Sequence, residues 1–337
     1  MKKARYYKEM DDKRIQCLLC PHYCVIAEGH RGNCLVRLNR AGELYTEVDE
    51  KYSGVHLDPI EKKPLYHFFP GSTILSVGTK GCNLKCKYCQ NHMISQCLPG
   101  DFPHMVDLPY SSILNLAQGY HNCIGVAYTY NEPVVFFETV LALARRVQGK
   151  GMKNVMVTNG YVNEEPLEKL LEVIDAFNVD LKAFNNDFYK RYTHGTLEPV
   201  LKTIKSIGRS GRHMELTNLV IPGLNSDKQE FEEMVRWISS ELGNDMVLHI
   251  SRYFPAFQMS IDPTPIAMLM DLYEIARKYL NYVYVGNVTS SVGSDSHCSE
   301  CGQELIRRIQ YRIQNVGLKQ GKCLSCGHQV IPTEYTL

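Results

Sequence analysis

Thirteen cysteines stand among the 337 residues, and eleven of them fall into three clusters that leave Cys97 and Cys123 apart. The central cluster, Gly81-Cys82-Asn83-Leu84-Lys85-Cys86-Lys87-Tyr88-Cys89, has C-x3-C-x2-C spacing directly after a predicted strand. Random placement of the cysteines would give about 0.02 such triplets in the chain. Three thiolates on one short loop can hold three irons of a cubane and leave the fourth open to an external ligand. An open iron can be chelated by the amino and carboxylate groups of a methionine moiety, which sets a sulfonium beside an electron donor. One-electron reduction then splits a C–S bond and yields a carbon radical. A zinc site with a remote fourth ligand is the competing reading of the same three residues.

Cys298-x2-Cys301 and Cys323-x2-Cys326 form two further knuckles, and each second cysteine precedes a glycine, Gly302 and Gly327, suited to a tight turn round a metal. Four thiolates close a tetrahedral shell, so a structural zinc ribbon is expected, with a rubredoxin-like iron site as the alternative. Cys17, Cys20, Cys24 and Cys34 are also a set of four. Their irregular spacing leaves a second zinc site and an auxiliary [4Fe–4S] cluster both open, with His22 or His30 able to replace a cysteine in either. The polar start, MKKARYYKEMDDKR, has no apolar h-region, and no stretch approaches the roughly 18 apolar residues of a membrane span. A cytoplasmic location is expected, where grouped cysteines point to metal ligands rather than disulfides.

These ligand loops need a frame, and the stretch between the second and third clusters supplies it. Ile74 to Thr79, Ile124 to Tyr130, Asn154 to Thr158, Phe177 to Leu181, His213 to Ile221 and Met246 to Tyr253 read as strands, with a shorter one from Tyr282 to Val285. Ser111 to Asn122, Val134 to Gln148, Glu164 to Ile174 and Leu197 to Gly208 read as helices. Ser226-Asp227-Lys228-Gln229 predicts a capping box opening a helix to about Leu242. Thr264-Pro265 predicts an N-cap and first helical residue for a helix to Leu280.

Strand–helix units in series imply a parallel sheet with right-handed crossovers. The expected fold class is α/β, a partial or full (β/α) barrel, with an open doubly wound sheet as runner-up. The expected organisation is a Cys-rich metal-binding extension over 1–70, the barrel over 71–290, and a zinc-ribbon-like module over 291–337 with a strand-like stretch from Glu304 to Gln314. In such sheets function belongs at the carboxyl ends of the strands.

Polar residues collect at those ends. Glu132, just before Pro133, is either a helix-start charge or a ligand contact. Asn159-Gly160 is a site candidate and also a common turn pair. Asp180 and Lys182 alternate with Leu181 and share one face, either toward the barrel lumen or as a buried ion pair. His249, Ser251 and Tyr253 share a face of the sixth strand, with Arg252 opposite. His249 is the candidate catalytic residue, with a satisfied core histidine as the other reading; Arg252 could bind a carboxylate or lie at the surface.

The cysteine loop resembles the radical S-adenosylmethionine (SAM) signature, including the aromatic Tyr88 before the third cysteine. In that superfamily this position packs near the SAM adenine. Tyr128-Thr129-Tyr130-Asn131-Glu132-Pro133 resembles the Gly-Gly-Glu-Pro motif that receives the SAM amino group. The resemblance implies a contact from Glu132 and, since Tyr130 and Asn131 replace the glycines, one from the Asn131 amide. Thr158-Asn159-Gly160, Asp180-Leu181-Lys182 and Val220-Ile221-Pro222-Gly223 resemble segments of the pyruvate formate-lyase activating enzymes, which implies cofactor-binding roles for Asn159, Asp180 and Lys182. Those enzymes carry an aspartate before Thr-Asn-Gly that helps bind a monovalent cation; Val157 stands there in this chain. Over residues 15–332 the chain is similar to the radical SAM member of the AmmeMemoRadiSam system, on Cys20-Pro21-His22-Tyr23-Cys24, on Asp58-Pro59-Ile60-Glu61-Lys62-Lys63-Pro64-Leu65 and on Tyr284-Val285-Gly286-Asn287-Val288.

The resemblance implies an enzyme with a [4Fe–4S] cluster at Cys82, Cys86 and Cys89 that reductively cleaves SAM to methionine and a 5′-deoxyadenosyl radical, which abstracts hydrogen from an unidentified substrate. One version is a glycyl radical activase acting on a partner protein. The alternatives are modification of a peptide, small molecule or RNA and, from another class, a metal-dependent adaptor with a decayed cluster site. An electron donor such as flavodoxin or ferredoxin is the implied second partner. A net charge of +1, with 37 basic against 36 acidic residues, gives no global field to recruit nucleic acid or an anionic membrane.

Overall fold

The computed structural model describes residues 1–98, 104–288 and 293–336. The boundary expected at 290/291 lies outside the described residues. The frame is an eight-stranded sheet of β1 (Gly54–Pro59), β2 (Thr73–Gly78), β3 (Cys123–Tyr128), β4 (Lys153–Thr158), β5 (Ala176–Asp180), β6 (His213–Val220), β7 (Val247–Arg252) and β8 (Val283–Gly286), hydrogen-bonded in that order. β2 to β8 run parallel, and β1 pairs antiparallel with β2. The crossover helices are α1 (Tyr110–Gly119), α2 (Phe137–Gln148), α3 (Glu164–Leu171), α4 (Leu197–Arg209), α5 (Lys228–Leu242) and α6 (Ile266–Ala276). A doubly wound sheet would reverse its strand order at a switch point. This order has no reversal, and among the described residues β1 and β8 do not pair, so the sheet is a partial barrel.

Burial explains the strand sequences. Ile74 to Gly78 of β2 are all buried, so β2 reads as a continuous apolar run rather than an alternating one. The helices are one-sided: α4 buries Val200, Thr203, Ile204 and Ile207, the i, i+3, i+4, i+7 stripe that faces the sheet.

Several local expectations change. Asp227, not Ser226, caps α5 by accepting from the Glu230 N–H at 2.9 Å, and the Ser226 hydroxyl accepts from Gly223 N–H instead. Thr264 does not cap α6; its buried hydroxyl donates to Val220 O at 2.6 Å and accepts from Tyr253 N–H at 3.0 Å, tying the ends of β6 and β7. Helix α6 stops at Ala276, short of Leu280. The stretch expected as one strand from Glu304 to Gln314 is a hairpin, Glu304–Ile309 and Arg312–Asn315, turning at Gln310 with φ 56°. The edge strand β1 lies in the segment assigned from sequence to the extension; all its residues but Asp58 are exposed or partly so, and it carries no clean alternation to read.

Both terminal segments share cores with the barrel. Ile15, Leu19, Ile26, Val36 and Leu44 of the N-terminal segment pack in the same buried cluster as α2 and β4. Arg37 is ion-paired with Glu138 of α2 at 3.2 Å, with both side chains almost fully buried. At the other end Leu305, Ile306, Val330 and Ile331 join Tyr66, Val247, Tyr282 and Tyr284 at the base of the sheet. Arg308 completes that joint: it is fully buried, donates to Tyr66 O and the Ser296 hydroxyl, and lies 4.1 Å from the centre of the Tyr66 ring. No helix among the described residues is long and apolar enough to cross a membrane.

Candidate active site and metal centres

The Cys82 loop leaves β2 through Gly81, whose φ of +82° suits glycine. A side chain there would also collide with the Cys34 carbonyl, which lies 2.4 Å from where a Cβ would sit. The loop is held by backbone bonds from Gly81 N–H to Ile94 O, Lys85 N–H to Thr193 O and Lys87 N–H to Tyr192 O. Cys82, Cys86 and Cys89 all line a cavity of 560 Å³ at the carboxyl ends of the strands. Residues of β4, β5, β6 and β7 line the same cavity through Thr158, Asp180, Thr217 and Ser251, so the curved sheet wraps it.

The donor set fits a cubane better than a zinc ion. Sulfurs round one tetrahedral zinc lie about 3.8 Å apart, given Zn–S bonds near 2.3 Å. Among the described residues the ribbon cysteines are the only ligand group whose atoms all lie within 4.8 Å of one another, so the three central sulfurs spread wider than that. Burial pushes the Cys86 thiol up to about 11 and the Cys82 thiol well above its usual range, so a bound cation is needed to make them thiolates at neutral pH. Leu84 N–H and the Asn159 amide point at Cys82 Sγ, at 3.4 and 3.7 Å, and Ser95 Oγ lies 3.1 Å from Cys89 Sγ.

Glu132 is buried at the cavity wall. Its carboxylate accepts from the Thr158 hydroxyl at 2.7 Å, Asn159 N–H at 2.8 Å and Val134 N–H at 3.0 Å. It therefore caps the turn Pro133–Phe136 and faces the cavity at once, joining the two readings offered by the sequence. Burial raises its pKa to about 7, against the lowering effect of those three bonds. Asn159 donates to Asn83 Oδ1 at 2.9 Å and so binds the end of β4 to the cysteine loop. Asp180 and Lys182 are ion-paired at 2.9 Å and both line the cavity, so lumen and ion pair are likewise the same fact. Burial disfavours the Lys182 charge, but Asp180 foremost outweighs it and holds the pKa well above the usual lysine value. Tyr88 is buried against the same cavity, 5.9 Å from the Phe188 ring.

Asn131 lines the cavity too, but its amide is spent on the chain: it accepts from Thr79 N–H and donates to Thr79 Oγ1, Lys80 O and Gly81 O. Tyr130 beside it adopts φ 72°, the left-handed region where the resembling motif has glycine. Tyr130 is anchored by its hydroxyl on Asp58 at 2.7 Å, with Lys63 Nζ 4.9 Å from its ring centre and paired to Asp58. Sequence reasoning missed this rim. The Asp58–Leu65 string was visible as kinship, yet no local spacing joins Lys63 to Tyr130. Thr217 and Asn287 of the cavity wall were also missed. Val157 lines the cavity with an apolar side chain at the place where the activating enzymes carry the cation-binding aspartate.

His249 lies elsewhere. It is buried, bonded to Glu215 at 2.6 Å, and packed edge-on to Tyr66 and nearly parallel to Tyr284, outside the cavity lining. Of the two readings the core histidine is the one the geometry bears. Arg252 donates to Thr264 O at 2.8 Å.

In the ribbon, Cys298 and Cys326 Sγ lie 3.6 Å apart, as do Cys301 and Cys323, spacing that could hold one tetrahedral metal ion. Cys17, Cys20, Cys24 and Cys34 line a separate small cavity with His22, whose ring is bonded to Asn83 O at 2.6 Å. His30 is exposed and does not line it.

A family model described as the radical SAM superfamily matches residues 76–238. An uncharacterized protein of Methanocaldococcus jannaschii is 39% identical over 338 residues, covering 98% of this chain and 99% of its own length. The pyruvate formate-lyase-activating enzyme of Staphylococcus epidermidis is 23% identical over 174 residues, 48% of this chain and 67% of that enzyme. In fold the chain is similar to Streptococcus suis SuiB bound to S-adenosylmethionine, with TM-score 0.50 at 15% identity over 64% of this chain and 50% of SuiB. The chain belongs to the radical SAM superfamily, and it is an enzyme of the class that uses a [4Fe–4S] cluster and SAM.

Proposed function

We propose that Cys82, Cys86 and Cys89 ligate three irons of a [4Fe–4S] cluster, and that SAM occupies the adjoining cavity at the carboxyl ends of the strands. One observation carries this: all three thiols open on the same 560 Å³ cavity that Glu132, Asp180 and Lys182 line. When bound, the cluster and SAM supply a one-electron reductive cleavage that yields methionine and a 5′-deoxyadenosyl radical able to take a hydrogen atom. The chain's own work is placement. Glu132, fixed by Thr158 and Asn159, offers its remaining lone pair to the SAM ammonium. Lys182 and Asp180 present a fixed cation and anion beside Cys86, and Tyr88 gives an apolar wall for the adenine. Asn131 and Asn159 act one step back, holding the cysteine loop by its backbone and by Asn83. The barrel wall excludes water from the reacting carbon.

The substrate we favour is a glycine of a partner protein, giving a glycyl radical. Support comes from the relatives named as activating enzymes and from Thr158-Asn159-Gly160 and Asp180-Leu181-Lys182 at the cavity. A peptide, small molecule or RNA substrate is the alternative outcome of the same test. Anaerobically reconstituted protein with dithionite and SAM should release 5′-deoxyadenosine, and the Cys82→Ala/Cys86→Ala/Cys89→Ala variant should not. Equal release from both would end the enzyme reading in favour of an adaptor. With a glycyl radical enzyme added, an organic radical signal is expected; its absence across such enzymes would remove the activase version alone.

A further inference from the structure

The N-terminal cysteines hold sulfur in a different geometry from the ribbon. The ribbon brings its four ligand atoms within 4.8 Å of one another, and among the described residues no other group of three or more does so. Cys17, Cys20, Cys24 and Cys34 therefore surround a space wider than a tetrahedral zinc shell, in which sulfurs lie about 3.8 Å apart. Thiolates on the corners of a cubane lie about 6 Å apart, and all four corners need a ligand where the cluster is closed.

The space itself is mostly apolar. The centre of a water-sized sphere ranges over 20 Å³ between the four cysteines, Leu19, Ile26, Val134 and Val135. A zinc ion contacts its four sulfurs directly and leaves no such space between them. One donor is aimed at sulfur and a second lies unpartnered in the cavity wall. Asn33 N–H points at Cys24 Sγ, 3.5 Å away. Arg37 lines the cavity, 1% exposed, with both its Nη atoms bonded to Glu138 while its Nε is buried without a hydrogen-bond partner. A buried orphan donor costs on the order of 1–3 kcal/mol unless something accepts from it, and cluster sulfur is an acceptor.

We infer that Cys17, Cys20, Cys24 and Cys34 hold a second, closed [4Fe–4S] cluster, with Arg37 as its cationic neighbour. The site abuts the catalytic loop: Cys34 O touches Gly81, and Asn83, next to Cys82, lines the N-terminal cavity. Four cysteine ligands leave no open iron, so this cluster does not chelate SAM.

The test is a metal count on full-length protein purified anaerobically. Wild type should carry about eight irons, matching sulfide, and about one zinc. The Cys82→Ala/Cys86→Ala/Cys89→Ala variant should keep about four irons, and its dithionite-reduced paramagnetic signal should not shift when SAM is added. What that variant retains belongs to the N-terminal site whatever binds at Cys82–Cys89, so the two readings fail separately. About four irons and two zincs in wild type, or a variant without iron and with two zincs, would overturn the inference.

Discussion

His249 of β7 is hydrogen-bonded to Glu215 of β6 at 2.6 Å, and the same carboxylate accepts from His213 at 2.9 Å and from the backbone N–H groups of Tyr66 and His67. Glu215 is fully buried and gathers all of these at the base of the sheet, where the ribbon docks. Its carboxylate is a structural anchor, and His249 belongs to that anchor.

Removing the anchor should unfold the protein sooner without disabling the chemistry. Glu215→Gln is expected to lose about 3–5 kcal/mol, measured by denaturant unfolding. His249→Asn should lose less, and its 5′-deoxyadenosine yield per folded molecule should stay within about twofold of wild type. A hundredfold loss of yield with normal stability would restore His249 as a catalytic residue.

The same carboxylate predicts acid sensitivity. Burial favours its neutral form, but the bonds to His213 and His249 outweigh this and hold its pKa well below the usual glutamate value. A folded-state pKa below the unfolded value of about 4.3 means the contribution is complete above that pH and is lost as pH falls toward the folded pKa. Melting scans should therefore show a drop below about pH 4 that is smaller in Glu215→Gln.

Glu132 has the opposite shift. With its pKa raised to about 7 by burial, more of the carboxyl is neutral as pH falls below that value. SAM binding through its ammonium should weaken accordingly, so KM for SAM is expected to rise from pH 8 to pH 6. Glu132→Gln should raise KM about 10- to 100-fold and flatten the pH profile; a parallel profile in both proteins would exclude the contact.

Gly81→Ala should disturb two centres together. It forces a side chain into a φ of +82° and against Cys34 O. The left-handed backbone alone costs about 1–2 kcal/mol, and the expected readout is lower iron content in anaerobically purified protein. Asn131→Ala, which frees Thr79, Lys80 and Gly81 at once, should lower iron content in the same direction.

The ribbon should behave as a docked module. Cys298→Ser is expected to lose one metal ion per chain and to speed proteolysis within 293–336, while 5′-deoxyadenosine formation persists. Arg308→Met should lower stability by about 2–4 kcal/mol by taking a buried guanidinium from Tyr66 O and Ser296, as read by denaturant unfolding.

Much of the site was legible because it is local. Cys82, Cys86 and Cys89 share one loop, and Glu132 and Asn159 follow, and Asp180 ends, a strand whose carboxyl end any parallel sheet turns toward one side. The alternation of the parallel strands with helices followed from periodicity, whereas the choice of a partial barrel over a doubly wound sheet came from the strand order. His249 was ambiguous because its partner Glu215 lies 34 positions away on a neighbouring strand, and side-chain pairing across a sheet leaves no trace in spacing. Lys63 and Tyr130 meet for the same reason, without a shared motif.

The sequence alone determined which residues could carry radical chemistry, since thiol spacing within a loop is bounded by the loop itself. Only the tertiary structure decided how closely the thiols of each set approach one another. The ribbon sulfurs converge to 3.6 Å, while Cys17 to Cys34 stand round a cavity walled by Val134 and Val135. The distance between sulfurs is set by the packing of the N-terminal segment on the barrel, and no spacing of cysteines along the chain encodes it.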